Sequence, residues 1–456
     1  MKYSRLALTL LLYTLSSATL WAVESQTTTF RNQQLNQEIS GKQIEQQFVK
    51  KDWISLRDEL AKYRLSKNHD PILADFVEAS LLIEDEHRPD LALPLYEKIL
   101  TQHPDYIFVR LAYAQALFAD KQYALAEKQF AQIPEQRLHP ITLQRAQLYR
   151  AYIKDIYKPQ FNLNLNYEQN DNINQVGESD TFSACVFNEC GLIFKKNEDS
   201  KPIKDKGIRW SAGVSKLFHM SGLHNLELNL QGDGIHYFKH SEYNEQSIRP
   251  SIAYLNRNSH RTWRVEPYAD YQLFAGSIYK RQYGLFTEYQ QNLTPNWQWR
   301  ANYDIAKTSY NIGIPSHGNQ HTVGTTLIYQ GQTFYVYGGT RFSKENNAYD
   351  QLAHRRYSVF GGGQYVWNDT LGVQADVSVE RRKYDAHNTF AQALLHQNLH
   401  RKETNYYAHL GVFSPKIEIY GFTPIINVKY TKTKSNLPEL FNRDSWAFYL
   451  SVQKSF

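Results

Sequence analysis

Two hydrophobic periods divide this chain. Apolar residues recur at helical spacing from about residue 46 to 157, and from 158 onward they alternate. In "FNLNLNY", Phe161, Leu163, Leu165 and Tyr167 share one face, while Asn162, Asn164 and Asn166 share the other. "HNLELNLQ" and "LGVQADVSVE" repeat the pattern, the second setting Val373, Ala375, Val377 and Val379 against Gln374, Asp376, Ser378 and Glu380. Period two is the mark of a strand with one apolar and one polar face. Fourteen such segments fit: 160–168, 206–218, 222–233, 245–256, 261–274, 279–293, 295–308, 319–330, 332–343, 353–367, 370–384, 403–414, 416–431 and 444–456.

The helical part repeats itself. Ser80 and Ala114, Ala92 and Ala126, Tyr96 and Phe130, and Ile99 and Ile133 match at an offset of 34 residues. That period resembles the tetratricopeptide repeat, in which small residues let paired helices approach and an aromatic fills the gap between hairpins. "KKDWISLRDELAKYRL" reads as an earlier helix of the same stack and "ITLQRAQLYRAYIKDIY" as a capping helix, with Pro134 and Pro140 disturbing the end of the second repeat. In front of this array, "MKYSRLALTLLLYTLSSATLWA" has the basic start, short apolar core and small residues of a secretory signal peptide cleaved after Ala22. Residues 23–45 are rich in Gln, Asn, Thr and Ser and read as a flexible linker.

Composition then decides what the strands face. Mean hydropathy is −0.59 and no apolar run beyond the signal region reaches the ~18 residues of a spanning helix, yet Tyr and Phe number 33 and 23. A secreted chain of fourteen aromatic-rich alternating strands reads as an outer-membrane barrel, apolar faces to lipid and polar faces to a lumen. Closure is required because an open sheet edge cannot be satisfied in lipid. "MSGL", "NRNSH", "LTPN", "QG", "NDT" and "SP" read as short periplasmic turns alternating with mostly longer external loops. An even count returns both barrel ends to the periplasm, where 46–157 belongs. The last strand presents Trp446, Phe448, Leu450, Val452 and Phe456 on one face, which resembles the targeting signature of outer-membrane proteins, although Lys454 departs from it.

Signal peptide, short repeat array and fourteen-stranded barrel in this order resemble the Slam family, the surface lipoprotein assembly modulators. The resemblance implies a translocator that helps a specific client reach the cell surface, either a surface lipoprotein or a secreted haem- or metal-acquisition protein. It also implies the outer membrane with its lipids as location, the barrel-assembly machinery as a partner, and a client-binding groove on the repeats. The repeat family's groove positions fall here on Val77, Leu81, Glu84, Asp85, Leu111, Gln115 and Phe118, which would otherwise pack a neighbouring helix. A polysaccharide exporter, or a porin or nutrient channel with a periplasmic adaptor, is the rival reading.

Other chemistry is sparse. Glu227, Arg264, Glu266, Asp270, Asp376 and Glu380 fall on polar faces and are expected to line the lumen, where charges pair. Cys185 and Cys190 suggest one small disulfide loop outside the cell, with a metal pair as the alternative. His396 and His400, four apart, would share a helical face able to hold a metal or haem, but with no third ligand in view. The basic runs "ERRKY" and "HRKE" flank a long loop, as solvated charge or as a surface for lipopolysaccharide phosphates or an acidic client. No G-x-S-x-G, H-E-x-x-H or phosphate-binding glycine loop occurs, so neither an enzyme nor a resident cofactor or metal is expected, and the net charge of +6 needs no nucleic acid.

Overall fold

The computed structural model describes residues 38–455 apart from 67–68, 188, 312–314, 369, 397 and 420–421. The expected signal peptide, most of the expected linker and Phe456 lie outside the described residues. Two units result, one mainly up to Tyr157 and the other mainly from Lys158 onward.

The first unit is a stack of helices: α1 (Glu38–Lys50), α2 (Trp53–Leu65), α3 (Pro71–Glu84), α4 (Pro89–Gln102), α5 (Ile107–Ala119), α6 (Tyr123–Ala131) and α7 (Pro140–Ile156). Helix α1 corrects part of the expected linker, since residues 38–45 are helical. Ile44 and Phe48, one turn apart on α1, pack on Leu56, Leu60 and Tyr63 of α2, a burial that composition alone does not reveal. Starts are set by local chemistry. The Asp70 carboxylate accepts from the Ile72 backbone N–H at 2.8 Å, with Pro71 occupying a position where no N–H is needed.

The offset of 34 has a direct structural meaning. Ala92 and Ala126 are fully buried, Tyr96 and Phe130 nearly so, and all four lie in one core with Ile99, Ala114 and Ile133. Small residues bring the helix axes together and the aromatics fill the space between hairpins. The Ser80 hydroxyl donates to Phe76 O at 2.9 Å and lies 3.5 Å from Tyr96 Oη, so the first repeat keeps a polar contact where the second has Ala114.

The second unit is a closed antiparallel barrel of fourteen strands. They are β1 (Gln160–Asn170), β4 (Asp205–Ser221), β5 (His224–Tyr237), β6 (Glu245–Arg257), β7 (Arg261–Phe274), β8 (Ser277–Asn292), β9 (Trp297–Tyr310), β10 (Ser316–Gln330), β11 (Phe334–Asn347), β12 (His354–Trp367), β13 (Leu371–His387), β14 (His400–Phe413), β15 (Thr423–Ser435) and β16 (Arg443–Ser455). Strand β1 closes the ring on β16, with Tyr167 opposite Leu450 and Leu165 opposite Val452. Phe161, Leu165, Tyr167, Val377, Val379, Trp446, Phe448 and Leu450 are exposed on the outer face, as alternation predicts for a lipid-facing surface. Among the described residues no helix is long and apolar enough to cross a membrane.

Three connections differ from expectation. Strand β14 ends at Phe413 and β15 begins only at Thr423, so this connection is longer than the expected two-residue turn, and Ile419 bridges to Phe422 within it. On the long-loop rim, β7 and β8 are joined by Ala275 and Gly276 alone, both at positive φ, a conformation that suits a tight hairpin. The first long loop, 171–204, carries its own hairpin, β2 (Thr181–Val186) and β3 (Glu189–Lys195). Two short helices, α8 (Thr389–Leu395) and α9 (Pro438–Phe441), lie in later long loops.

Candidate translocation lumen

Alternation delivers every second side chain to the inner wall, and the wall is wired strand to strand. Near the short-turn rim, Arg264 on β7 reaches Glu227 on β5 at 2.9 Å and Glu266 on its own strand at 2.6 Å. On the β1–β4 wall, Glu168 is almost fully buried and is held by Arg209 at 2.7 Å. Of the expected lumen charges, Glu227, Arg264, Glu266, Asp376 and Glu380 find partners, on their own strand or across another, while the buried Oδ1 of Asp270 has no hydrogen-bond partner among the described residues.

A longer chain crosses β11 to β16. Tyr337 Oη donates to Asp376 Oδ1 at 2.5 Å, and His409 Nδ1 lies 2.9 Å from Asp376 Oδ2. His409 Nε2 lies 2.9 Å from Asn427 Oδ1, and Asn427 Nδ2 donates to Ser451 Oγ at 2.9 Å. The same Nδ2 also donates to Ile425 O at 2.9 Å, which fixes which end of the amide faces the imidazole. His409, Tyr337, Asn427 and Ser451 were not singled out in the sequence. Their signal was only a position on the polar face of a strand, since the link between them is spatial.

The glycines at 361–363 have a defined place in this wall. Gly362 lies on β12, directly beneath the Tyr337–Asp376 bond, so that a Cβ there would press on Asp376 Oδ1 and come within 2.8 Å of Tyr337 Oη. A strand glycine permits close approach, and at Gly362 the approaching groups are the Asp376 and Tyr337 side chains together with the Ala375 carbonyl.

On the long-loop rim, Cys185 and Cys190 form a disulfide that pins the β2–β3 hairpin. Glu439, in α9, accepts from the Ser183 backbone N–H at 2.6 Å and from its hydroxyl at 3.0 Å, tying this hairpin to a distant loop. His396 and His400 do not share a helical face. Helix α8 ends at Leu395, His396 takes a left-handed conformation, and His400 already belongs to β14, where its ring meets that of His387 at 4.3 Å. His396 comes close to Cys185 and Cys190 instead, but both sulfurs are committed to each other.

The expected repeat groove needs correction. Val77 and Leu81 are buried against α1 and α2, and Leu111 and Phe118 are buried in the larger repeat core. The ring of Phe118 lies 4.7 Å from that of Tyr149, 5.5 Å from Tyr152 and 5.4 Å from Tyr123. The apolar groove positions meet neighbouring helices in so short an array, and for Phe118 the aromatics of α7 supply the cover. Of the seven groove positions, Glu84, Asp85 and Gln115 remain partly accessible. Asp85 and Glu86 are bridged by Arg57, at 2.5 and 3.1 Å. Burial raises the Glu84 carboxyl above its ordinary value, against the pull of Lys51 and His87. The bidentate Arg88 guanidinium has the opposite effect on Asp90, holding that carboxyl below its ordinary value.

Comparison with known proteins agrees with the two-part layout. A family model described as surface lipoprotein assembly modifier matches residues 160–456, and one described as that family's N-terminal TPR repeats matches residues 28–130. A Haemophilus influenzae protein named surface lipoprotein assembly modifier 1 is 21% identical over 406 residues, 87% of this chain and 80% of its own. A Moraxella catarrhalis surface lipoprotein assembly modifier is 22% identical, with 82% of this chain and 71% of its own covered. An Acinetobacter baumannii protein named hemophilin secretion modulator is 19% identical, with 90% of this chain and 84% of its own covered.

Proposed function

The chain belongs to the surface lipoprotein assembly modifier family, and from that premise we propose that it is an outer-membrane translocator for a specific client protein. The barrel lies in the outer membrane and the helical repeats in the periplasm. The client is a surface lipoprotein or a secreted protein, the two classes named for its relatives. The observation that carries this reading is the family match over the whole barrel, joined to helical repeats of the same family's type. A passive channel needs no such repeats.

The division of labour follows from the parts. Partly accessible acidic and amide groups on the repeats, Glu84, Asp85 and Gln115, offer a polar surface to a client that has not finished folding. The barrel offers a wall cross-braced by pairs such as Arg264 with Glu227 and Arg209 with Glu168. Such bracing holds the wall's shape without the client. The barrel-assembly machinery inserts the barrel, and outer-membrane lipids cover its apolar face.

The test is protease accessibility of candidate clients on intact cells carrying the full chain, the barrel alone, or neither. One client reaching the surface only with the full chain supports the translocator. Leakage of small solutes or sugars with no client movement would replace it with a porin or a polysaccharide exporter.

A further inference from the structure

Arg356 on β12 and Arg382 on β13 are direct cross-strand partners, and both point inward. Like charges placed opposite each other in a sheet repel. The pair sits near the long-loop rim, two residues into β12 and five from the end of β13. Arg382 is one of the three basic residues of the run "ERRKY". Alternation sends Arg381 and Lys383 outward and Arg382 into the lumen.

Three carboxylates, Glu345, Glu380 and Glu403, stand in the field of the four guanidiniums of this cluster, Arg356, Arg382, Arg401 and Arg443, and are already engaged. Glu380 accepts from Arg382 at 3.0 Å, but its oxygens also take Asn405 at 3.2 Å and Ser358 at 3.4 Å. Arg356 has the Ser343 hydroxyl, at 3.3 Å, as its hydrogen-bond acceptor, and no carboxylate oxygen within 4.0 Å among the described residues. The buried Nε of Arg356 and the buried Nε of Arg382 meet no acceptor there. Two further guanidiniums close the ring. Arg401 is paired with the buried Glu403 at 3.4 Å and clamped between the rings of Tyr384 and Phe441, at 3.8 and 4.5 Å, and Arg443 stands in the field of Arg382, Arg401 and the same Glu403. Buried donors without acceptors, set among opposed cations, call for an anion that supplies both charge and oxygens.

We infer that this stretch of lumen wall is a binding site for a phosphate group, held by Arg356 and Arg382 with Arg401 and Arg443 beside them. A phosphate offers several acceptor oxygens to guanidinium forks and carries more charge than a single carboxylate. Its source is free phosphate or the phosphorylated headgroup of an outer-membrane lipid.

Purified full-length protein in detergent, with no client present, tests this independently of the translocator reading. Inorganic phosphate, titrated against chloride at matched ionic strength, is expected to raise the unfolding midpoint saturably, by a few degrees. Heat-modifiable mobility on gels checks that each variant barrel is folded. Arg356→Gln relieves the repulsion, so its midpoint without phosphate should rise while the phosphate response disappears. Arg382→Gln should lose the response as well. Arg355→Gln, on the outer face of the same strand and paired with Asp385 at 2.9 Å, should keep it. If inorganic phosphate has no effect but native mass spectrometry finds a phosphorylated lipid retained by the parent and lost from Arg356→Gln, the headgroup is the source. An unchanged phosphate response in both Arg356→Gln and Arg382→Gln overturns the site. So does the absence of both a phosphate response and a retained lipid in the parent protein.

Discussion

Tyr337 reaches across an entire strand to hydrogen-bond Asp376, and the residue it passes over is Gly362. The contact joins β11 to β13 and, through His409 and Asn427, continues to β16. Six of the fourteen strands, β11 to β16, are thereby spanned inside the lumen as well as by the backbone ladder.

Gly362→Leu should sever this tie. The new side chain would push Tyr337 and Asp376 apart and break a charge-assisted hydrogen bond at a half-buried carboxylate, at a cost of about 1–3 kcal/mol. Gly338→Ala, with only Phe360 O at 3.7 Å from a new Cβ, should be nearly silent. Urea unfolding of the two variants beside the parent compares them directly.

His409 is the joint of the chain, and His409→Phe would leave Asp376 Oδ2 and Asn427 Oδ1 without the ring they share. A loss of about 1–3 kcal/mol is expected for each acceptor that stays buried. Tyr337→Phe removes one bond and should cost less. If the two variants prove equal in denaturant midpoint, the imidazole is not the centre of the network.

In the repeats, Ala126 has no free space, and Ala126→Leu should cost about 1–3 kcal/mol through overpacking. Tyr96→Ala empties the inter-hairpin gap and should cost about 3–5 kcal/mol. Both losses are read from the melting of the helical circular-dichroism signal.

Glu84 sets a pH dependence with a defined sign. Its folded-state value is raised, so the folded repeats bind that proton more tightly than the unfolded chain. This contribution to stability grows as pH falls through the raised value and levels off below the ordinary glutamate value of about 4.3. Asp90 acts oppositely and lower. Its stabilisation by Arg88 is present above the ordinary aspartate value of about 3.9 and is lost as pH falls through its depressed value. Glu84→Gln should therefore raise the melting midpoint of the helical signal at neutral pH and flatten its rise on mild acidification, leaving the loss at lower pH in place.

The strands were legible because one face meets lipid and the other polar groups, so a period of two survives in nearly every one. The repeats were legible because Ala92 and Ala126, or Tyr96 and Phe130, solve the same packing problem 34 residues apart. What escaped was whatever depends on a partner far away in sequence. Phe118 looked like a groove residue until Tyr149 covered it, and His409 looked like one polar position among many until Asp376 and Asn427 flanked it. The β2–β3 hairpin escaped for a different reason, since the alternation of Thr181 and Ser183 with Phe182, Ala184 and Val186 is brief and lies inside a long polar loop.

The seam between β1 and β16 brings together the two barrel strands farthest apart along the chain. Each hairpin between them can zip locally as soon as its own turn is made, but this ladder must wait for all the rest. Until then the nascent sheet carries two bare margins that lipid cannot satisfy and that water or another protein must shield. The slow, vulnerable moment in the life of this molecule is thus its last, and a cell that makes it needs something to hold those margins apart from everything except each other.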